Sequence, residues 1–370
     1  MNQYEGGQGY FDGSSESSIT FNTPSGEKRK YSSLLTNGIR DISFDDNQRS
    51  RSFTVDLVSK HAVINNSTPN YQKSFKNRQI SDVIGSILKD GLGVSIPINI
   101  DATRGLHGSD NQPIILTQKS PLRHIDDLRR MAISSQNYDG FLLFSGIGQS
   151  GGEEIFFKSI YDMLKQDSVA TITNKTKFEV GQNLSGVPMN NVIEMWYPKQ
   201  TSALEKTASF SRGTTKYDIN KAKADIPRLQ AGVARQQFGS QTSTNPGKVS
   251  GFVTDPYNKM PGTSNVILED SRRPDSHRAE TAPYTEALFA DMMQNFITIK
   301  VPGNSNLRVG QVIDFDMREN SDDFLNSDTK FSGKNLISGI SHYIGPASDA
   351  PRYVTYIDLI NVQTANKMVS

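Results

Sequence analysis

The chain has 370 residues, a formal net charge of +1 and no cysteine. At roughly 100 to 200 residues per domain this length holds two or three domains with cores of their own. The near-balance of charge leaves no global field for holding nucleic acid or an anionic membrane, and the lack of Cys excludes disulfides, thiolate catalysis and Cys-ligated metal sites.

The first residues, MNQYEGGQGYFDGSSESS, carry no Lys or Arg and no apolar stretch, so they do not read as a secretory signal or transit peptide. No run in the chain approaches the roughly 18 apolar residues of a membrane helix. Gly6, Gly7, Gly9 and Gly13 among Ser and Gln make residues 1–17 an arm that would be flexible in an isolated chain, so its ordering calls for neighbouring chains. Short β elements follow: Ser18 to Phe21, Lys28 to Ser33, a turn at Asn37-Gly38, Ile39 to Phe44, and Arg51 to Val58. In the last, Phe53, Val55 and Leu57 alternate with Ser52, Thr54 and Asp56, which predicts a strand with one buried face.

Ile80, Val83, Ile84, Ile87 and Leu88 recur at helical spacing, with Gly91 where a left-handed C-terminal cap belongs. Ser120-Pro121 opens a second helix through Leu122, Ile125, Leu128 and Ala132. Phe141 to Phe144 reads as an apolar strand, followed by a Gly-rich turn, a returning strand over Ile155 to Ile160 and a helical turn over Tyr161 to Leu164. Val192 to Tyr197 is a further strand. From there to about residue 280 there is no clean periodicity, and Gln236 to Asn265 has the composition of a long loop. The last third predicts a helix from Tyr284 to Gln294, then strands over Phe296 to Val301, Gln311 to Met317, Leu336 to Ile344 and Arg352 to Val362. A turn at Pro302-Gly303 and an acidic loop from Asp322 to Asp328 separate them, and four such strands make most of a small barrel.

Two motifs overlap in Phe141 to Glu154. Gly146, Gly148 and Gly151 satisfy G-x-G-x-x-G, but Glu153 and Glu154 would face a pyrophosphate with negative charge, and a strand pattern follows where a helix should. Gly148-Gln149-Ser150-Gly151-Gly152 satisfies G-x-S-x-G, which makes Ser150 with His277 or His342 the strongest enzymatic alternative, a serine hydrolase. No oxyanion segment precedes it and no helix pattern follows, so a glycine-rich β-hairpin turn is preferred. His61, His107, His124, His277 and His342 never stand at metal-ligand spacing, and the acidic loop lacks the Gly and terminal Glu of a calcium loop. Lys206 to Arg235 is mildly basic, as a solvated or interface face would be. Asp126 and Asp127 lie on different sides of one helix. No catalytic, cofactor or metal site is expected.

In order along the chain, SFTVDLVSKHAVINNS with FKNRQISDVIGSILKD, then SPLRHIDDLRRMAISS, FLLF and IFFKSIYDML, then ASFSRGTTKYDINKAKAD, and finally NFITIKVPGNSNLRVGQVIDFDM, SGKNLISGISHYIG and YVTYIDLINV resemble the central baseplate hub of contractile-tailed bacteriophages, the adaptor between tail tube and spike. Leu307 to Gln311 resembles that family's turn into a barrel strand. These segments cover about two thirds of the chain, and their order carries the resemblance. It implies an α+β, β-rich fold, with two tube-type antiparallel β-barrel domains, an inserted α+β domain and long loops. The corresponding domains are an arm at 1–17, a first tube barrel at 18–65, an inserted domain at 66–185, a strand with long loops at 186–285 and a second barrel at 286–370. The family's first barrel has several more strands before the position of Ser18, so here it is truncated or completed by another chain.

The resemblance further implies a structural homotrimer and no enzyme. Three copies with two barrels each would form a pseudo-sixfold ring joining the hexameric tube to the trimeric central spike. Partners would be the spike, a tail tube or tube-initiator protein, surrounding baseplate proteins and the tape measure protein. DNA would transit without specific binding, no membrane would be involved, and the chain would reside in the virion baseplate after assembly in the host cytoplasm. A hub of a related injection machine is the neighbouring alternative. In Ile313-Asp314-Phe315-Asp316-Met317 the alternation sends the apolar side chains to the barrel core and Asp314 and Asp316 outward, where they would line the channel and repel phosphates.

Overall fold

A computed structural model describes residues 16–22, 28–44, 51–106, 113–135, 140–174, 190–196, 212–218, 223–225, 263–269, 296–317, 332–345 and 353–361. The chain divides into two compact units, Met1–Ala132 with Leu143–Phe157, and Ile133–Leu142 with Lys158–Ser370. Strands dominate the described residues of both.

The first unit opens with an antiparallel sheet of β1 (Glu16–Asn22), β2 (Lys28–Phe44) and β3 (Arg51–Ser59), in that order. The turn predicted at Asn37-Gly38 does not form. Residues on both sides of it pair with the same strand, β3, and the register slips between Thr36 and Gly38, leaving Asn37 as an extra, bulged residue. A hairpin there would require the two halves of β2 to pair with each other and would forfeit the longer ladder with β3. Further slips stand beside Ser33 and Asp41, both in the left-handed region at φ 56° and 54°.

The face predicted to be buried is open. The register puts Ile19, Leu34, Ile39, Val55 and Leu57 on one side, yet Ile19 is 46% and Phe53 39% exposed, and Val55 and Leu57 are only half-buried. Alternation identified the apolar face; the described residues leave it partly open.

The rest of the unit is α+β. Helix α1 (Lys60–Ser67) leads to β4 (Tyr71–Phe75), and helix α2 (Ile80–Ser86) continues as a π turn over Ile87–Gly91 to β5 (Ile98–Ile100). Strand β6 (Ile114–Lys119) pairs antiparallel with β4 and runs into helix α3 (Pro121–Arg129). The predicted stripe is the core: Ile80, Val83, Ile84 and Ile87 are fully buried and Leu88 is 1% exposed, each side chain stabilising by about 1.5–3 kcal/mol. Gly91 is not the left-handed cap. That conformation falls on Gly93 (φ 61°), while Gly91 lets the Tyr71 ring pack closely, a Cβ there lying 3.0 Å from it. In α3, Ile125 and Leu128 are buried as the pattern predicts and Pro121 is buried beside them, but Leu122 is 36% exposed. Ser120 does not cap α3 with its own side chain; Asn65 of α1 accepts the Leu122 N–H at 2.9 Å instead.

Strands β7 (Phe141–Ile147) and β8 (Glu153–Ser159) form a hairpin that carries the chain between the units, and β5 joins β8 in parallel. Helix α4 (Ile160–Leu164) begins the longer part of the second unit, with Ser159 accepting the Asp162 N–H. Then come β9 (Thr171–Thr173), β10 (Glu194–Trp196), β11 (Arg212–Asp218), β12 (Lys223–Asp225) and β13 (Thr263–Glu269). The last strands are β14 (Phe296–Pro302), β15 (Val312–Asp316), β16 (Gly333–Ile344) and β17 (Tyr353–Asn361). The stretch without periodicity thus holds three strands in the order β12-β11-β13, with β11 and β13 parallel. The loop predicted from Gln236 gives way to β13 at Thr263. The predicted helix at 284–294, the acidic loop at 322–328, His107, His277 and the arm up to residue 15 lie outside the described residues.

Six strands of this unit form one sheet in the order β10-β14-β17-β16-β15-β9. It curls until its two edges meet. The Thr173 N–H donates to Asn190 O and the Val192 N–H to Thr173 O, both at 2.9 Å, and the Ile193 N–H then donates to Lys300 O of β14 at 2.8 Å. The segment before β10 therefore bridges β9 and β14, and Ile172, Val192, Ile297, Ile299, Val301, Leu307, Ile313, Phe315, Ile337, Ile357 and Leu359 fill the interior. Alternation along β14 is strict, with Ile297, Ile299 and Val301 inward. Gly303 must be glycine, since a Cβ there would overlap the Tyr353 ring at 2.0 Å. Gly310 (φ 84°) turns the chain into β15, its N–H held by Ile337 O.

Candidate functional site

The G-x-S-x-G segment is a docking tip. The Gly151 N–H donates to Gly148 O (3.1 Å) and the Gly148 N–H to Gly152 O (2.7 Å), closing a turn between β7 and β8. Ser150 is exposed on it and a strand follows, so neither a nucleophile elbow nor a phosphate-binding helix start exists there. The glycines serve backbone approach instead. The Lys30 N–H of β2 donates to Gly151 O (3.1 Å), and a Cβ on Gly151, at φ 81°, would lie 2.7 Å from Lys28 O. Beside this contact Glu153, 8% exposed, accepts the Ser32 N–H at 3.2 Å. Burial pushes its carboxyl above the ordinary carboxylate range, offset in part by that hydrogen bond. Tyr31 is pushed up by burial and then by the Glu153 charge.

The histidines described have structural partners. His61 Nδ1 lies 3.2 Å from Ser59 Oγ, His124 Nε2 lies 3.2 Å from Tyr71 O, and His342 Nδ1 lies 3.2 Å from both Thr355 Oγ1 and Tyr353 Oη. Burial lowers the pKa of His61 and His124. Asp126 pairs with Arg129 and Arg130, which hold its carboxyl below the usual range, Arg129 foremost, while Asp127 pairs with Lys119. The two carboxylates are thus engaged separately. Among the described residues no three potential ligands converge on a metal site, and no helix is long and apolar enough to cross a membrane.

The curled sheet carries the more distinctive surface. In β15, Ile313 and Phe315 are buried at 0% and 1%, Met317 packs on the same interior, and Asp314 and Asp316 stand half-buried on the opposite face. The register sets Asp314 between Lys334 of β16 and Thr171 of β9, and Asp316 beside Thr173. The outer row next to them, Val312, Leu336 and Ile360, is buried at 2%, 3% and 8% yet does not belong to the interior cluster. Further round the same outer face, Lys300 pairs with Glu194 (3.1 Å) and lies 5.8 Å from the Tyr356 ring centroid. Trp196 packs beside that ring with centroids 5.9 Å apart, and Thr298 Oγ1 donates to Asp358 Oδ1 at 2.7 Å. Trp196, the chain's single tryptophan, remains 43% exposed. Aromatic side chains with a polar edge, half exposed on a rigid sheet, are the composition of protein-protein contact centres. This cluster joins residues 160 positions apart through β10-β14-β17 pairing, so no local pattern announced it.

No protein-family model and no curated protein sequence matches the chain. Among solved structures it is similar to a tail protein of Neisseria meningitidis MC58, with 9% identity and a TM-score of 0.49 over 92% of this chain and 85% of that one. The 43 kDa tail protein of prophage MuSo2 from Shewanella oneidensis has 12% identity and a TM-score of 0.49, covering 92% and 79% of the two chains. An Escherichia coli component of the type VI secretion system, described as similar to the phage T4 tail proteins gp27 and gp5, has 11% identity and a TM-score of 0.45, covering 93% and 64%.

Proposed function

We propose that the chain is a structural hub of a contractile-tail baseplate in the virion, three copies of which form a pseudo-hexameric ring between a hexameric tail tube and a trimeric central spike. The observation that carries this reading is the curled six-stranded sheet at residues 171–361, whose bridged edges and alternating interior make a barrel-like unit able to stand in a ring. The open apolar face of β1-β2-β3 supports it further. Such a face on a sheet of only three strands is unstable in water alone and favours a neighbouring chain that completes a first barrel.

In this arrangement Asp314 and Asp316 line the channel and keep phosphates from adhering, with Lys334 tempering the field at Asp314. Trp196 and Tyr356 face an adjoining subunit or a surrounding baseplate protein. Tube, spike and tape measure proteins are the remaining partners, and DNA passes without sequence-specific contact. The serine-hydrolase alternative loses its basis with the hairpin at Ser150, and labelling by an active-site serine probe should fail.

The direct test is the mass of the purified chain, alone and with its spike. A trimer in either condition supports the hub, and a strict monomer in both overturns it. Asp314→Lys with Asp316→Lys should leave assembly intact while slowing DNA ejection from reconstituted particles. Unchanged ejection would remove the two carboxylates from the channel.

A further inference from the structure

Strand β5 is the edge of its sheet, paired on one side with β8. The Ile155 N–H donates to Pro97 O and the Asp101 N–H to Phe157 O, so the odd-numbered residues of this segment point their backbone groups at β8. The N–H and C=O of Ile98 and of Ile100 therefore point the other way, and among the described residues nothing pairs with them. Along this edge runs a groove of about 790 Å³, floored by Gly85 and Ser86 of α2 and walled by Ile96, Ile98 and Ile100. Its floor is narrow, since a Cβ on Gly85 would already lie 3.3 Å from Ile100 Cδ1. Arg78 and Lys89 stand at its rim against the single acid Asp82.

An open edge beside a groove takes an extended backbone: main-chain hydrogen bonds supply affinity, and alternate side chains drop into the groove. We propose that the occupant is the acidic arm, residues 1–15, of a second copy of this chain, added as a strand to β5. Those residues hold Glu5 and Asp12 and no Lys or Arg, which complements the rim, and they interleave Gly6, Gly7 and Gly9 with Tyr4, Tyr10 and Phe11, small residues for the narrow floor and aromatics for the apolar wall. Exchange between copies also matches the open face of the first sheet in the same unit, a second surface that the described residues leave uncovered. The inference rests on the multi-copy reading above.

The absence of cysteine makes the test clean. In the full chain, Asn99→Cys combined in turn with Gly7→Cys, Gly9→Cys or Tyr10→Cys should give disulfide-linked dimers and larger species on oxidation, seen on non-reducing gels. Arg78→Glu with Lys89→Glu, both exposed and harmless to folding, should lower that yield about tenfold, and adding Glu5→Lys and Asp12→Lys should restore it. Crosslinks confined to single chains, or none in a preparation whose mass is trimeric, would overturn the arm exchange while leaving the hub reading intact. A preparation that stays monomeric with the spike present overturns both.

Discussion

The first sheet and the curled sheet are written in the same binary pattern, and one is covered while the other is not. Phe53, Val55 and Leu57 in β3 alternate as cleanly as Ile297, Ile299 and Val301 in β14, yet the β14 residues are fully buried and the β3 residues are half-buried or exposed. Alternation states which side chains share a face. Burial depends on whether more strands follow to wrap that face, and six strands can curl until their edges meet where three cannot. A patterned face that the described residues leave open is thus a place to look for partners.

The contrast can be broken by substitution. Phe315→Ala should be the most damaging change, costing about 3–5 kcal/mol through the cavity it leaves, measured by chemical denaturation of the isolated chain. Val55→Ala should cost it under about 1 kcal/mol and weaken the assembled particle more; an equal loss to Phe315→Ala in the isolated chain would mean that the face is already covered. Gly151→Ala forces a side chain into a left-handed conformation and against Lys28 O, a penalty of about 1–3 kcal/mol. It should release the hairpin tip from β2, visible as faster hydrogen exchange at the Lys30 amide.

Glu153 gives the pH test. Its pKa is higher when docked than when unfolded, so its contribution is complete below the ordinary carboxylate range and is lost as pH rises through the raised value. Protection of the Lys30 and Ser32 amides should decline in that window. Glu153→Gln, which keeps the acceptor for the Ser32 N–H, should abolish the decline and leave docking at neutral pH at least as strong. A decline that persists in this variant would assign it to Tyr31 or another group. Smallest in the isolated chain is Trp196→Ala, within about 0.5–1 kcal/mol, though it should lower the trimer fraction at fixed concentration. An unchanged mass distribution would take the aromatic pair out of the interface.

Much of the fold was legible because it is local. The stripe Ile80, Val83, Ile84, Ile87 and Leu88, the Ser120-Pro121 helix start and the strands around Phe315 each follow from spacing within a dozen residues. The Asn37-Gly38 bulge was not, because whether that dipeptide turns or bulges depends on the partner available to both flanks, and β3 was available. Nor were β11 and β13, a parallel pair from separate stretches of the chain whose sequences, RGTTKYD and TSNVILE, carry no strict alternation. The G-x-S-x-G glycines were legible as a hairpin turn, but the contact they make with β2, across more than 100 residues, was not.

What the sequence determined by itself is much of the alphabet of elements and their faces: polar, cysteine-free, β-rich, with the apolar stripe of α2 and the apolar faces of β3 and of the strands around Phe315 already assigned. Tertiary structure alone decided which faces are covered, which edges close on themselves and which remain open. Backbone periodicity depends on neighbours three or four positions away, whereas closure and burial depend on strands that meet only after the chain has folded.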